Sequence, residues 1–165
     1  MAWRIALSRS SFSLAEFVDY NLSLVFPNVH LVRSASGSEM FVHLMRVREG
    51  DAVIAISFPR YSKRIIKAAD FAASRGANVV AITDGPTSPI AKCSSAALYA
   101  KSDMASFADS LVAPLSVINA LLAAIGMKPS RKVELRNGAL DCEYWKYEIF
   151  AGKRNDFVRK KKEKK

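Results

Sequence analysis

The sequence is poor in the residues that build metal and redox centres, with two cysteines and two histidines among 165 residues. Cys93 and Cys142 stand far apart with no Cys-x-x-Cys spacing, and neither histidine falls near them. A zinc site and a disulfide scaffold are therefore excluded, no metal or cofactor is expected, and two reduced thiols, buried or half-buried, are the expectation for a cytoplasmic protein. Long apolar runs are also missing. Even the stretch from Leu111 to Met127 is interrupted by Ser116 and Asn119, and Met1-Ala2-Trp3-Arg4-Ile5 does not lead into a signal-type segment, so no membrane span or export signal is read. Seven glycines and six prolines are too few for a collagen-like chain. What remains is half apolar and 24% charged, the composition of one globular domain of ordinary length.

Acidic residues are the other shortage: 15 against 25 basic ones, a net charge of +10. The excess is unevenly placed. Residues 153–165 carry eight basic and two acidic side chains, +6 of the total, and leave +4 for the other 152 residues. With almost nothing apolar to pack, residues 151–165 are expected to be a solvated, disordered tail behind a domain at 1–150. The charge is thus weak support for nucleic-acid binding by the body of the chain.

Apolar spacing along the chain alternates between two periods. Trp3 to Leu7 reads as a strand, and Leu14, Phe17, Val18, Leu22 and Val25 recur at helical spacing from Phe12 onward. His30-Leu31-Val32 suggests a second strand, Met40, Phe41, Leu44 and Val47 a helix closed by Glu49-Gly50, and Asp51 to Ser57 a central strand covered on both faces. A helix with Ile65, Ile66, Ala69, Phe71 and Ala72 on its apolar side stops at Gly76. Asn78 to Thr83 follows as a strand, Ser88 to Ser94 as a short helix, and Ala96 to Ala100 as a fifth strand. A long helix is expected from about Ser106 to Met127, running past Pro114, and a last one from Arg131 to Phe150. Leu111, Leu115, Ile118 and Leu122 are placed on one side of the long helix, with Val112, Val117, Leu121 and Ala124 widening it toward a subunit contact.

Strands alternating with helices predict an α/β fold, a three-layer α-β-α sandwich on a parallel sheet. Ligands of such sheets bind beyond the carboxyl ends of the strands, where strand order reverses. The turns to consider are Ser8–Ser11, Ser57–Ser62 and Thr83–Ser88. All carry hydroxyls, and two lead into helix N-termini, where backbone N–H groups and the helix dipole favour an anion such as phosphate. Arg9, Arg60 and Lys63 add positive charge nearby. The alternative is that Ser11 and Ser62 only cap their helices.

Residues 50–62 (Gly-Asp-Ala-Val-Ile-Ala-Ile-Ser-Phe-Pro-Arg-Tyr-Ser), 75–84 (Arg-Gly-Ala-Asn-Val-Val-Ala-Ile-Thr-Asp) and Ser88-Pro89-Ile90-Ala91 together resemble the sugar isomerase (SIS) domain of RpiR-type transcriptional regulators. Ser8-Arg9-Ser10-Ser11 before Leu14-Ala15-Glu16 is similar to that domain's first loop and helix, and Phe107 to Leu115 to its later helix. The likeness extends over roughly residues 3 to 150. It implies a five-stranded, flavodoxin-like parallel sheet, a homodimer, and a phosphosugar held by the serine loops. Ser11 matches the first-loop hydroxyl that meets phosphate, and Ser57 and Ser62 match the first and last hydroxyls of a Ser-x-Ser-Gly-x-Thr loop. In that loop Pro59 replaces the second serine and Arg60 the glycine, while Leu7 fills a first-loop position that is often glycine. Phe-Pro-Arg-Tyr-Ser is a version familiar among the regulators.

The expected ligand is thus a sugar phosphate, and the expected contacts are Ser10, Ser11, Ser57, Arg60, Ser62 and Thr83. The expected role is a non-catalytic sensor, with DNA as a partner only through a separate or missing helix-turn-helix segment, because the sheet begins within a few residues of Met1. A fragment of a regulator and a free-standing domain both fit that start. The rival function is a phosphosugar aldose-ketose isomerase, which needs a base to move a proton between adjacent carbons. His30 and His43 fall outside the serine turns, and Glu16 lies one turn into the first helix. A phosphoacceptor role for Asp84 lacks the paired acidic residues near the first strand that hold magnesium.

Overall fold

The computed structural model of the chain describes residues 2–7, 11–32, 37–102 and 110–127. The chain divides after Lys128, and every described residue lies in the first part. The expected helix at 131–150, the basic tail and Cys142 lie outside the described residues.

Five strands form one sheet in the order β2-β1-β3-β4-β5, every neighbouring pair parallel. They are β1 (Trp3–Leu7), β2 (Val29–Val32), β3 (Ala52–Ile56), β4 (Asn78–Thr83) and β5 (Ala96–Tyr99). Parallel neighbours need a crossover, and the helices supply it: α1 (Phe12–Val25), α2 (Gly37–Leu44), α3 (Lys63–Ser74) and α4 (Val112–Met127).

The period-2 alternation of a strand sorts the core into two halves. Val53 and Ala55 of β3, with Val79 and Ala81 of β4, pack on Met40 and Leu44 of α2 and Ile65, Ala68, Ala69 and Ala72 of α3. Ile54 and Ile56, with Ile82, face the other way, onto Leu14, Ala15, Val18 and Leu22 of α1 and Ile118 of α4. All five residues of β3 are buried, as a strand covered on both faces requires. The result is three layers, with α1 and α4 on one face and α2 and α3 on the other.

At the amino edge of the sheet, α3 ends in a Schellman motif: Ala77 N–H donates to Ala72 O and Gly76 N–H to Ala73 O. Gly76 takes φ +78°, where a Cβ would lie 3.2 Å from Glu49 Cγ, so glycine serves both the turn and the close approach. The buried Asp51 carboxylate accepts from the Ala2 N–H (2.7 Å) and the Arg48 N–H (3.1 Å), tying the chain before β1 to the turn before β3.

Three expectations need correction. The helix expected from about Ser106 starts at Val112, with Ser110 and Leu111 outside it and residues 103–109 beyond the described set. Pro114 is the reason: it fits the first turn, where its missing N–H has no intrahelical partner to lose, and it would break a helix passing through it. Between Ser88 and Ser94 only Ala91–Cys93 forms a turn of 3-10 helix, because Ser88, Ala91 and Ser94 each donate three residues back rather than four. Leu115 does not share the core side of Ile118; Leu111, Val117, Leu121, Leu122 and Ile125 pack there, while Val112 and Leu115 stay exposed. Cys93 is a half-buried free thiol, and burial, then the charge of Asp70, push its pKa above the ordinary value.

Candidate functional site

Strand order reverses between β1 and β3, since the chain steps from β1 to β2 on one side and from β3 to β4 on the other. The chain leaves β1 for α1 on one face of the sheet and β3 for α3 on the opposite face, which opens a crevice at their carboxyl ends. Leu7 pairs with Ile56 and Ile56 with Ile82, so the three strands end level and their loops share one rim.

Two serines on this rim are buried with nothing to bond. Ser11, the N-cap residue of α1, is 1% exposed, and Ser57, the first residue after β3, is 0% exposed. Neither Oγ has a hydrogen-bond partner. A buried hydroxyl without a partner costs free energy and is uncommon in a settled fold, so each calls for a reason. Capping does not supply one. Ser11 makes no side-chain cap bond, and neither does Ser62 at the start of α3, whose carbonyl instead accepts from Ile65 and Ile66 N–H. The first turns of α1 and α3 also contain no acidic residue to neutralise their N–H groups.

The loop between Ser57 and Ser62 is shaped by an unusual backbone. Arg60, exposed, takes φ 70°, the sole non-glycine residue with positive φ among the described residues. Tyr61, next in line, reaches across to the turn after β4, where its hydroxyl donates to Asp84 at 2.8 Å (Oδ1) and 2.9 Å (Oδ2). The buried Thr83 hydroxyl donates to the same carboxylate at 3.0 Å and shares a 2.7 Å hydrogen bond with the buried Ser88. Partial burial, then the hydrogen bond to Asp84 and its charge, raise the Tyr61 pKa against a smaller opposing effect of Ser88, which keeps the phenol protonated as a donor.

Of the residues picked out in the sequence, Ser11, Ser57, Arg60, Ser62 and Thr83 all stand at this rim, and Ser10 lies outside the described residues. Sequence reasoning placed Tyr61 and Ser88 in the rim turns without giving either a role, and weighed Asp84 only as a phosphoacceptor. The available signal was a tyrosine inside a hydroxyl-rich loop facing an aspartate directly after the neighbouring strand. The two imidazoles are placed elsewhere: His30 is exposed on the edge strand β2, and His43 sits in the last turn of α2, toward the amino edge. Glu16 is exposed on α1. Among the described residues no three His, Cys, Asp or Glu side chains converge as a metal site requires, and no helix is long and apolar enough to cross a membrane. An open cleft of about 720 Å³, lined by Arg46, Arg48, Asp51 and Arg75 among others, lies at the amino edge, away from the hydroxyls.

Solved structures share this architecture. The sugar isomerase domain of an RpiR transcription factor from Sphaerobacter thermophilus superposes with a TM-score of 0.75 at 24% identity, over 85% of this chain and 77% of that one. The NanR protein of Vibrio vulnificus, solved in complex with ManNAc-6P, gives 0.71 at 17% identity, over 91% of this chain and 57% of that one. A candidate phosphosugar isomerase from Bacillus subtilis gives 0.57 at 22% identity, over 82% of this chain and 41% of that one. At these identities the likeness is one of fold. No curated protein sequence matches the chain. The family model of the SIS domain, however, matches residues 5–124, from β1 through most of α4 and across the whole rim, and by that match the chain belongs to the SIS domain family.

Proposed function

We propose that the carboxyl rim binds a sugar phosphate and that the domain is a sensor without chemistry of its own, of the kind found in RpiR-type regulators. The observation that carries this reading is the pair of buried, unpartnered hydroxyls, Ser11 and Ser57, at the two crossovers that flank the strand reversal. A phosphate oxygen seated there would accept from both hydroxyls and from N–H groups at the starts of α1 and α3. Ser10 and Ser62 would add donors, Arg60 would add charge at the mouth, and Thr83 would act by orienting Asp84. NanR, a relative in fold, carries ManNAc-6P in its solved complex, which supports the ligand class.

The non-catalytic reading rests on placement. Proton transfer between adjacent sugar carbons needs a base within hydrogen-bond reach. Both histidines stand off the rim, and the Asp84 carboxylate is engaged by Tyr61 and Thr83. Glu16, one turn into α1, is the carboxylate an isomerase would have to use. A homodimer is part of the proposal: Phe17 and Tyr20 of α1 and Val112 and Leu115 of α4 are exposed apolar side chains on the same face of the sheet, suited to a two-fold contact. So are a domain reaching residue 150, a solvated basic tail and a cytoplasmic location.

The test is a thermal-shift screen against hexose and amino-sugar phosphates. A ligand at 100 times its Kd adds about 2.7 kcal/mol of stability. The parent should respond and the Ser11→Ala/Ser57→Ala variant should not; a variant that responds like the parent places the ligand elsewhere. Incubating the responding sugar phosphate in deuterated solvent separates sensor from isomerase, since exchange at the carbon beside the carbonyl would reveal proton transfer.

A further inference from the structure

The phosphosugar reading assigns no role to the side chain that spans the rim. Tyr61 lies 23 residues from Asp84, yet its hydroxyl meets both oxygens of that carboxylate. Thr83, itself buried and joined to buried Ser88, donates to Oδ1 of the same carboxylate. The tether therefore runs from the loop after β3 to a carboxylate that a buried hydroxyl pair also holds. Directly before Tyr61 stands Arg60 in the left-handed region, a conformation that glycine adopts freely and a residue with a Cβ does not. On the far side of the tether, Ser62 begins α3, and at the loop's other end Ser57 presents its unpartnered hydroxyl.

We propose that Tyr61 is a positioning residue of the phosphosugar loop: its hydrogen bonds to Asp84 hold residues 58–62 in the left-handed turn at Arg60, and thereby keep Ser57 and the N-terminus of α3 aligned for one anion. The inference rests on the proposed phosphosugar site, and it assigns the tyrosine the part that glycine plays where it occupies the turn. Loss of the tether lets Arg60 relax toward negative φ and withdraws the loop from its binding shape.

Calorimetric titration with ManNAc-6P, and with inorganic phosphate in parallel, tests this on four proteins: the parent, Tyr61→Phe, Arg60→Gly and the double variant. The phenylalanine keeps the ring and removes only the hydroxyl. Tyr61→Phe should weaken both probes about tenfold beside Arg60, and less than threefold in the Arg60→Gly background, where the turn needs no tether. Asp84→Asn, which weakens the tether from the opposite end, should reproduce the loss if Tyr61→Phe proves too unstable to titrate. Hydrogen exchange on the unliganded proteins gives a readout independent of any ligand: the amides of Phe58 and of Arg60, Tyr61 and Ser62 should exchange faster in Tyr61→Phe than in the parent. Equal losses in both backgrounds, or unchanged exchange at 58–62, overturn the positioning role while leaving the phosphosugar site standing. A parent that binds neither probe and responds to no sugar phosphate in the thermal-shift screen removes the site and this role together.

Discussion

The two edges of the sheet are built from the same kinds of residue and treat them in opposite ways. At the amino edge the buried Asp51 has both carboxylate oxygens paired with backbone N–H groups, and the left-handed turn belongs to Gly76. At the carboxyl edge buried Ser11 and Ser57 have no partners, and the left-handed turn belongs to Arg60. At the first edge the buried carboxylate and the turn are both accommodated; at the second, two hydroxyls and one turn are not. Unresolved polar groups and backbone strain cluster where a protein binds something, since a site shaped for a guest is incomplete without it. The contrast, more than any single serine, supports the carboxyl edge as the proposed binding edge.

Four substitutions probe that contrast, beginning with the largest expected effect. Asp51→Ala leaves two backbone donors at the amino edge without their charged acceptor, and should cost about 2–3 kcal/mol of stability, read from the urea midpoint. It should leave the thermal response to sugar phosphate intact; a lost response would mean that the two edges are not independent. Gly76→Ala forces a Cβ into the left-handed region and toward Glu49, for about 1–2 kcal/mol.

At the other edge the signs reverse. Ser57→Ala removes a buried hydroxyl that bonds to nothing, so the unliganded protein should gain about 1 kcal/mol while its response to ligand disappears. A variant that loses stability instead would show that the hydroxyl is already satisfied and is not reserved for a guest. Arg60→Gly should come out between neutral and about 1 kcal/mol more stable, because relief of the left-handed strain is offset in part by the greater freedom of glycine in the unfolded chain.

Most of the fold was legible because it rests on local periodicity. The apolar run 51–57 announces a doubly covered strand, and the spacing from Phe12 to Val25 and from Ile65 to Ala72 announces helices packed on the sheet. The misreadings came where two local rules compete. Apolar spacing carried the long helix back past Pro114, although proline's geometry places it in a first turn, and the apolar residues of α4 could not be divided between core and surface until the neighbouring helix was known. At the site, the serines were legible as hydroxyls following strands. Their lack of partners was not, since satisfaction of a buried group depends on everything packed round it. The Tyr61–Asp84 contact was hidden for a similar reason: it requires β3 and β4 to be neighbours in register before residues 23 apart can meet.

The smallest effect is also the most selective, because it follows one proton on the tether. In the unfolded chain Tyr61 ionises near its ordinary value of 10.0, while in the folded protein partial burial and the adjacent Asp84 carboxylate hold the proton to higher pH. Between those two values the unfolded chain has released a proton that the folded one retains. Stability must then fall as pH rises through that window, and it is fully present below about pH 10. Tyr61 is only half-buried, so solvent screening keeps the slope shallow. The parent and Tyr61→Phe differ at this one phenol, so the contributions of all other groups cancel in the difference. Urea midpoints measured from pH 9 to pH 11 should therefore decline more steeply for the parent than for Tyr61→Phe. Parallel curves for the two proteins would mean that the phenol does not rely on Asp84 in solution, and that the carboxyl edge is held in shape by the backbone alone.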